Sequence, residues 1–178
     1  MKIIPTKLPD CYLFNFDIYE DKRGAFRKLY HSEIFTKHKL NLAIKEQFYS
    51  ISAKNVLRGM HFQAPPFDHF KLVSCLHGNV LDVVLDLRKN SKTYKKFDIF
   101  YLSQNKGNVL HIPSGIAHGF LSLDDNSGML YNTTTVHAPE EDKGILWDSF
   151  GFNWPIVNPI VSERDQKFPK LNEFKSPF

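Results

Sequence analysis

Between Leu72 and Thr135 the chain is cut into brief β-rich runs: Leu72–Cys75, Val80–Leu87, Phe97–Leu102, Asn108–Ile112, Gly119–Leu123 and Met129–Thr135. Clusters of Gly, Asn, Asp, Ser and Pro separate them, at the spacing of a β-sandwich or barrel. The run VLDVVLDL, Val80 to Leu87, places Asp82 and Asp86 inside an otherwise apolar pattern. This predicts a mainly β fold, an antiparallel barrel with short peripheral helices. One helix is expected over Ser32–His38 with Ser32 as its cap, and another after Ser162, where SERD sets a carboxylate three positions beyond a capping residue.

At 178 residues, with no internal repeat, low-complexity stretch or linker, the chain reads as one domain over residues 1–178. Folding at that size buries roughly two-thirds of the surface an extended chain exposes. The N-terminal MKIIPTKLPD meets Pro5 and Pro9 before an apolar segment can form, and no apolar run approaches membrane-span length, so a cytoplasmic protein without a membrane partner is expected. Cys11 and Cys75 have neither C-x-x-C spacing nor a histidine motif, and read as free thiols. The net charge of +4 is scattered along the chain, which argues against nucleic acid and fits a small anionic ligand.

In GNVLHIPSGIAHGF, Gly107 to Phe120, the spacing G-x5-P-x-G-x2-H resembles the second motif of cupin barrels. Pro113 and Gly115 would shape a turn that leaves His118 facing the barrel mouth, unless His118 is a structural histidine. Metal-binding cupins carry an H-x-H pair and a downstream Glu in their first motif. Here the matching segment RGMHFQAPPFDHFKLV offers His61 with Gly59 and Gln63 on either side, and His69 lies eight residues on, past Pro65-Pro66. At least three donors are needed, so no metal is expected. What remains for chemistry is His61, His118, Arg58, Lys71 and Tyr131, a set suited to proton abstraction beside a carbonyl. A histidine titrating near neutral pH would be the base, Lys71 would meet the developing enolate charge, and Tyr131 would return a proton.

The runs DKRGAF (21–26), NVLRGMHFQ (55–63), KLV (71–73), GNVLDVVLDLRKNSKTY (78–94), IPSGIAHGF (112–120), LYNTT (130–134), KGILWDS (143–149), NWP (153–155) and SERD (162–165) occur in order along nearly the whole chain. In that order and spacing they resemble the dTDP-4-dehydrorhamnose 3,5-epimerase family. The resemblance implies a cupin-type jelly-roll barrel, usually a homodimer. It also implies cofactor-free inversion of the carbons flanking the C4 ketone of a nucleotide-diphosphate 4-keto-6-deoxy sugar. Carried over by motif, His61 is the base, Asp165 fixes its tautomer, Tyr131 is the acid on the opposite ring face, and Lys71 holds the enolate oxygen. Arg58 and His118 would hold the pyrophosphate side, and Arg23 and Phe26 would reach into the neighbouring subunit's site. Arg164 stands where the family has a lysine near substrate. Each has a plainer alternative: Arg23 and Arg58 as surface ion-pair partners, Tyr131 as a core tyrosine and Asp165 as a helix-start carboxylate; Asp82 faces the same choice and is read as support for the site.

The sequence departs from the family at nucleotide-binding positions. Lys28 replaces a Glu, Glu46, Gln47 and Phe48 replace a Q-D-N run, His137 replaces an aromatic, and Asp142 replaces a Glu. Lys28, Gln47 and Asp142 are therefore expected ligand contacts of altered chemistry, compatible with CDP or GDP in place of dTDP, or with a heptose. Inversion at C3 alone, or a non-catalytic sugar-binding barrel, are the other readings of the same residues.

Overall fold

The computed structural model describes residues 1–40 and 42–178. In chain order the strands are β1 Lys2–Pro5, β2 Tyr12–Asn15, β3 Ile18–Asp21, β4 Gly24–Arg27, β5 Glu46–Ser52, β6 Leu57–Gln63 and β7 Lys71–His77. They continue with β8 Asn79–Asp86, β9 Phe97–Ser103, β10 Asn108–Ile112, β11 Ile116–Ser122, β12 Ser127–Thr133 and β13 Asp142–Gly144. One helix, α1, spans Ser32–Lys37. A six-stranded sheet, ordered β1-β2-β10-β7-β12-β5, faces a five-stranded sheet, ordered β13-β6-β11-β8-β9, and all pairings within both are antiparallel. β3 and β4 form a separate hairpin. The fold is mainly β and of cupin type, as expected. No helix among the described residues is long and apolar enough to cross a membrane.

Strand alternation divides the side chains into three apolar layers. Between the sheets lie Val73, Cys75, Val80, Val84, Leu110, Ile112, Ile116, Phe120, Met129 and Tyr131. On the outer face of the five-stranded sheet, Leu81, Val83, Leu85, Ala117 and Leu121 are covered by Ile145, Phe150, Trp154 and Leu171 of the C-terminal segment. On the outer face of the six-stranded sheet, Phe14, Leu72 and Val109 pack under Phe35 of α1. β8, β10 and β11 are thus covered on both faces, which explains why VLDVVLDL is nearly continuously apolar rather than alternating.

Two expected helices come out differently. α1 is capped by His31, whose carbonyl receives the N–H groups of Ile34 and Phe35, and the Ser32 hydroxyl is not its cap. After Ser162 only the 3₁₀ turn Asp165–Lys167 forms. Ser162 Oγ does accept the Asp165 N–H, at 3.1 Å, but Phe168 is extended before Pro169, and that proline stops the helix from propagating. Every expected strand is present, with β11 beginning at Ile116 rather than Gly119 and β12 ending at Thr133 rather than Thr135.

Candidate active site

A cavity of about 370 Å³ opens between the sheets and is lined by Arg58, His61, Lys71, His118, Tyr131 and Asp142, with Glu46, Phe48, Ser50, His69 and His137 towards its other walls. That size suits a small-molecule site. The two sheets contribute different groups. His61 and Arg58 come from β6 and His118 from β11, whereas Lys71 comes from β7 and Tyr131 from β12.

β6 would not present both Arg58 and His61 inward if it were regular, because three positions apart on a strand means opposite faces. A bulge intervenes: His118 pairs with His61 and Phe120 with Arg58, so the segment Gly59-Met60 stands opposite the single residue Gly119. Gly59 has φ +140°, and a Cβ there would come within 2.5 Å of the Gly119 Cα. Both positions therefore need glycine for the strands to approach.

His61 Nε2 lies 2.8 Å from Asp165 Oδ1, and the other carboxylate oxygen accepts the Gly59 N–H at 3.1 Å. Asp165 is buried, while His61 remains partly open to the cavity. Burial pushes the Asp165 carboxyl up, but the His61 imidazole, the Gly59 amide and the Ser162 hydroxyl together hold it below the usual carboxylate range. With Nε2–H donated to Asp165, Nδ1 is left as the basic nitrogen. Phe168 packs edge-on to the imidazole at 5.7 Å, in space that a side chain at Gly144 would fill, and the Arg164 guanidinium lies over that phenyl at 5.2 Å.

Desolvation lowers Lys71 to about 8, against the pull of Asp142 and Asp82, and its Nζ donates to the His61 carbonyl at 3.3 Å. Tyr131 is buried, and desolvation pushes its phenol upward, so it keeps its proton across the physiological range. Phe48, its cross-strand neighbour, stacks on it with ring centroids 4.8 Å apart and planes 12° from parallel. His118 is buried rather than held at the rim, with Nε2 2.7 Å from Asp82 Oδ2.

The remaining expected contacts divide. Asp142 and Arg164 pair with each other at 2.9 Å, and Asp142 also meets His137 at 3.2 Å, so Arg164 stands beside the cavity through Asp142. Arg58 donates to Ser52 Oγ at 3.0 Å. Gln47 points to the other face of β5, where it donates to Asn132 at 2.6 Å, and Glu46, Phe48 and Ser50 take the inward positions. Arg23, Phe26 and Lys28 lie outside the cavity of their own chain. Arg23 is exposed and paired with Asp21 at 2.5 Å, and Phe26 is 60% exposed on the β3–β4 hairpin. Sequence reasoning marked Glu46 and Phe48 only as departures beside Gln47 and missed Ser50, although the alternation in EQFYSIS already sets Glu46, Phe48 and Ser50 on one face. No group of three or more His, Cys, Asp or Glu arranged for a metal occurs among the described residues.

A family model described as dTDP-4-dehydrorhamnose 3,5-epimerase matches residues 5–173. The dTDP-4-dehydrorhamnose 3,5-epimerase of Shigella flexneri is 36% identical, over 98% of this chain and 99% of its own. Among solved structures, the Bacillus anthracis dTDP-4-dehydrorhamnose 3,5-epimerase with TDP and PPi bound superposes with a TM-score of 0.92 at 31% identity, covering 96% of this chain and 99% of that one. The dTDP-6-deoxy-D-glucose-3,5-epimerase of Legionella pneumophila, in complex with dTDP-4-keto-L-rhamnose, superposes at 0.90 with 30% identity, covering 98% and 94%. With sequence, topology and cavity in agreement over nearly its whole length, this chain belongs to the dTDP-4-dehydrorhamnose 3,5-epimerase family of isomerases.

Proposed function

We propose that the chain inverts C3 and C5 of a nucleotide-diphosphate 4-keto-6-deoxy sugar by proton transfer through an enolate. One observation carries this reading: His61 and Tyr131 project into a single cavity from opposite sheets. A sugar ring lying between the sheets would have the base on one face and the acid on the other. His61 Nδ1 takes the proton from the carbon beside the ketone, and the C–H electron pair becomes the enolate. Asp165 stabilises the imidazolium through Nε2–H, and Lys71, as its ammonium, stabilises the enolate oxygen. Tyr131 then delivers its phenolic proton to the other face of the same carbon, which inverts it; before the second carbon reacts, His61 releases the proton it took to solvent and Tyr131 regains one. Arg58 supplies a cation for the diphosphate.

The nucleotide base is the less determined part of the substrate. Glu46, an acceptor, lines the cavity with His137 and Asp142, and the Glu46 carboxylate already accepts the His137 N–H at 2.6 Å. Such a wall favours a base edge that offers donors, as cytosine and guanine do. The exposed Arg23 and Phe26 support a homodimer in which each hairpin completes the partner's site.

Incubation with dTDP-, CDP- and GDP-linked 4-keto-6-deoxy sugars in deuterated water tests this directly. Deuterium at both C3 and C5 is the expected result, and the preferred nucleotide identifies the base. Deuterium at C3 alone would restrict the activity to one centre, and none with any of the three would overturn the reading.

A further inference from the structure

A second histidine–carboxylate pair, which the proton path above does not use, has its histidine in the cavity wall. Asp82 sits on β8 in phase with Val80 and Val84, so alternation directs its carboxylate into the apolar layer between the sheets, where it is completely buried. Phe120 is its cross-strand partner on β11, which places it diagonal to His118, and His118 in turn stands directly opposite His61. Asp82 Oδ2 meets His118 Nε2 at 2.7 Å, while Oδ1 is buried without a protein partner among the described residues. An isolated buried carboxylate in an apolar layer is costly, and the pairing with His118 offsets part of that cost.

What it faces is informative. The groups that sense its charge are His118 on β11, Lys71 and Cys75 on β7, Tyr131 on β12 and Cys11 before β2. Lys71 in turn senses Asp82 and Asp142, and acts on His69. Burial pushes the Asp82 carboxyl above its ordinary range, and His118 and Lys71 pull it part of the way back. The Nε2 of His118 is committed to Asp82, and His118 lines the cavity, so Nδ1 is the nitrogen available to a ligand.

We infer that Asp82 is a positioning residue for the ketone end of the cavity: it fixes the tautomer and orientation of His118 and provides the negative charge behind Lys71, without touching the sugar. The inference rests on the epimerase reading for Lys71, but not for the geometry of His118. Its two parts separate experimentally. In Asp82→Asn the amide oxygen can still accept Nε2–H, so His118 stays oriented while the charge is lost. Lys71 then loses one of the two carboxylates that counter its desolvation, and its ammonium form must give way at lower pH.

The expected result, read above the alkaline limb, is a kcat reduced by about tenfold for each pH unit by which that limb moves, because less of Lys71 is then ammonium. KM should stay near wild type, and the alkaline limb of kcat should move from near pH 8 in the wild type to lower pH. In a Lys71→Met background the same substitution should move no limb. A kcat and a limb like those of the wild type, or a loss of kcat with no movement of the limb, would overturn the charge role. If Asp82→Asn does not fold, ¹⁵N NMR of the wild-type histidines decides the orienting role. His118 should carry its proton on Nε2, and an Nδ1–H tautomer overturns the inference. Failure of the wild type to exchange deuterium would instead sink the epimerase reading, and the tautomer measurement would still stand.

Discussion

In the proposed reaction His61 and Tyr131 take opposite halves, and their substitution should separate them. His61→Asn keeps a polar side chain beside Asp165 but has no basic nitrogen, so deuterium exchange at both C3 and C5 should fall by at least about 10²-fold, the usual contribution of a positioned general base. Tyr131→Phe leaves the base intact. Proton removal and wash-in from the His61 face should continue while inverted product falls by a similar factor, measured as exchange against product in the same reaction. Equal loss of both in Tyr131→Phe would assign the acid to another group. The two residues differ in how legible they are. His61 stands out in RGMHFQ, whereas Tyr131 has the burial and packing of a core tyrosine and is a candidate acid only because its ring borders the cavity beneath Phe48. Asp165 likewise begins a short helical turn, the plainer reading of SERD, and also orients His61.

At the level of elements, parity decides which residues reach the site. β8 directs Asp82 inward because Val80 and Val84 point inward, and β5 does the same for Glu46, Phe48 and Ser50. β6 breaks parity at Gly59, and a uniform alternation would have put Arg58 and His61 on different faces. α1 belongs to the layer away from the cavity. Its only buried residue, Phe35, is fully covered and packs on Phe14 at 4.6 Å and Tyr30 at 5.1 Å. Phe35→Ala should therefore destabilise the protein by about 3–5 kcal/mol, as large-to-small changes of buried aromatics do. It should leave kcat near wild type, with urea unfolding and activity measured on the same sample. A preserved midpoint would show that α1 contributes little to the packing of the outer layer.

For the whole molecule, two consequences follow from what lies outside the cavity and what is sealed inside the chain. If Arg23 completes a partner's site, Arg23→Ala and His61→Asn should each be inactive alone. Mixed and reassembled, they should regain up to about one quarter of wild-type activity, because a heterodimer has one site with both residues intact; no recovery would place Arg23 in its own chain's site or none. Acid stability is set partly by His111, fully buried between Tyr12 and Phe70, which desolvation lowers from 6.5 to about 4. Between those values the unfolded chain binds a proton that the folded chain refuses, so stability falls as pH falls, by on the order of 3 kcal/mol across the interval. His69, lowered to about 3, acts in the same direction. Thermal midpoints between pH 7 and pH 5 should drop more steeply for the wild type than for His111→Phe, and parallel curves would contradict this. The sequence by itself determined the β class, the run of strands from Leu72 to Thr133 and the residue types of the site, since local alternation, turn residues and motif spacing are written along the chain. Only the tertiary structure decided that Gln47 faces away while Phe48 covers Tyr131, that Arg23 and Phe26 stand apart from their own cavity, and that Asp82 lies against His118. Those outcomes depend on which strands become neighbours and where a bulge resets their phase, and contacts between residues far apart in sequence are set by packing rather than by local pattern.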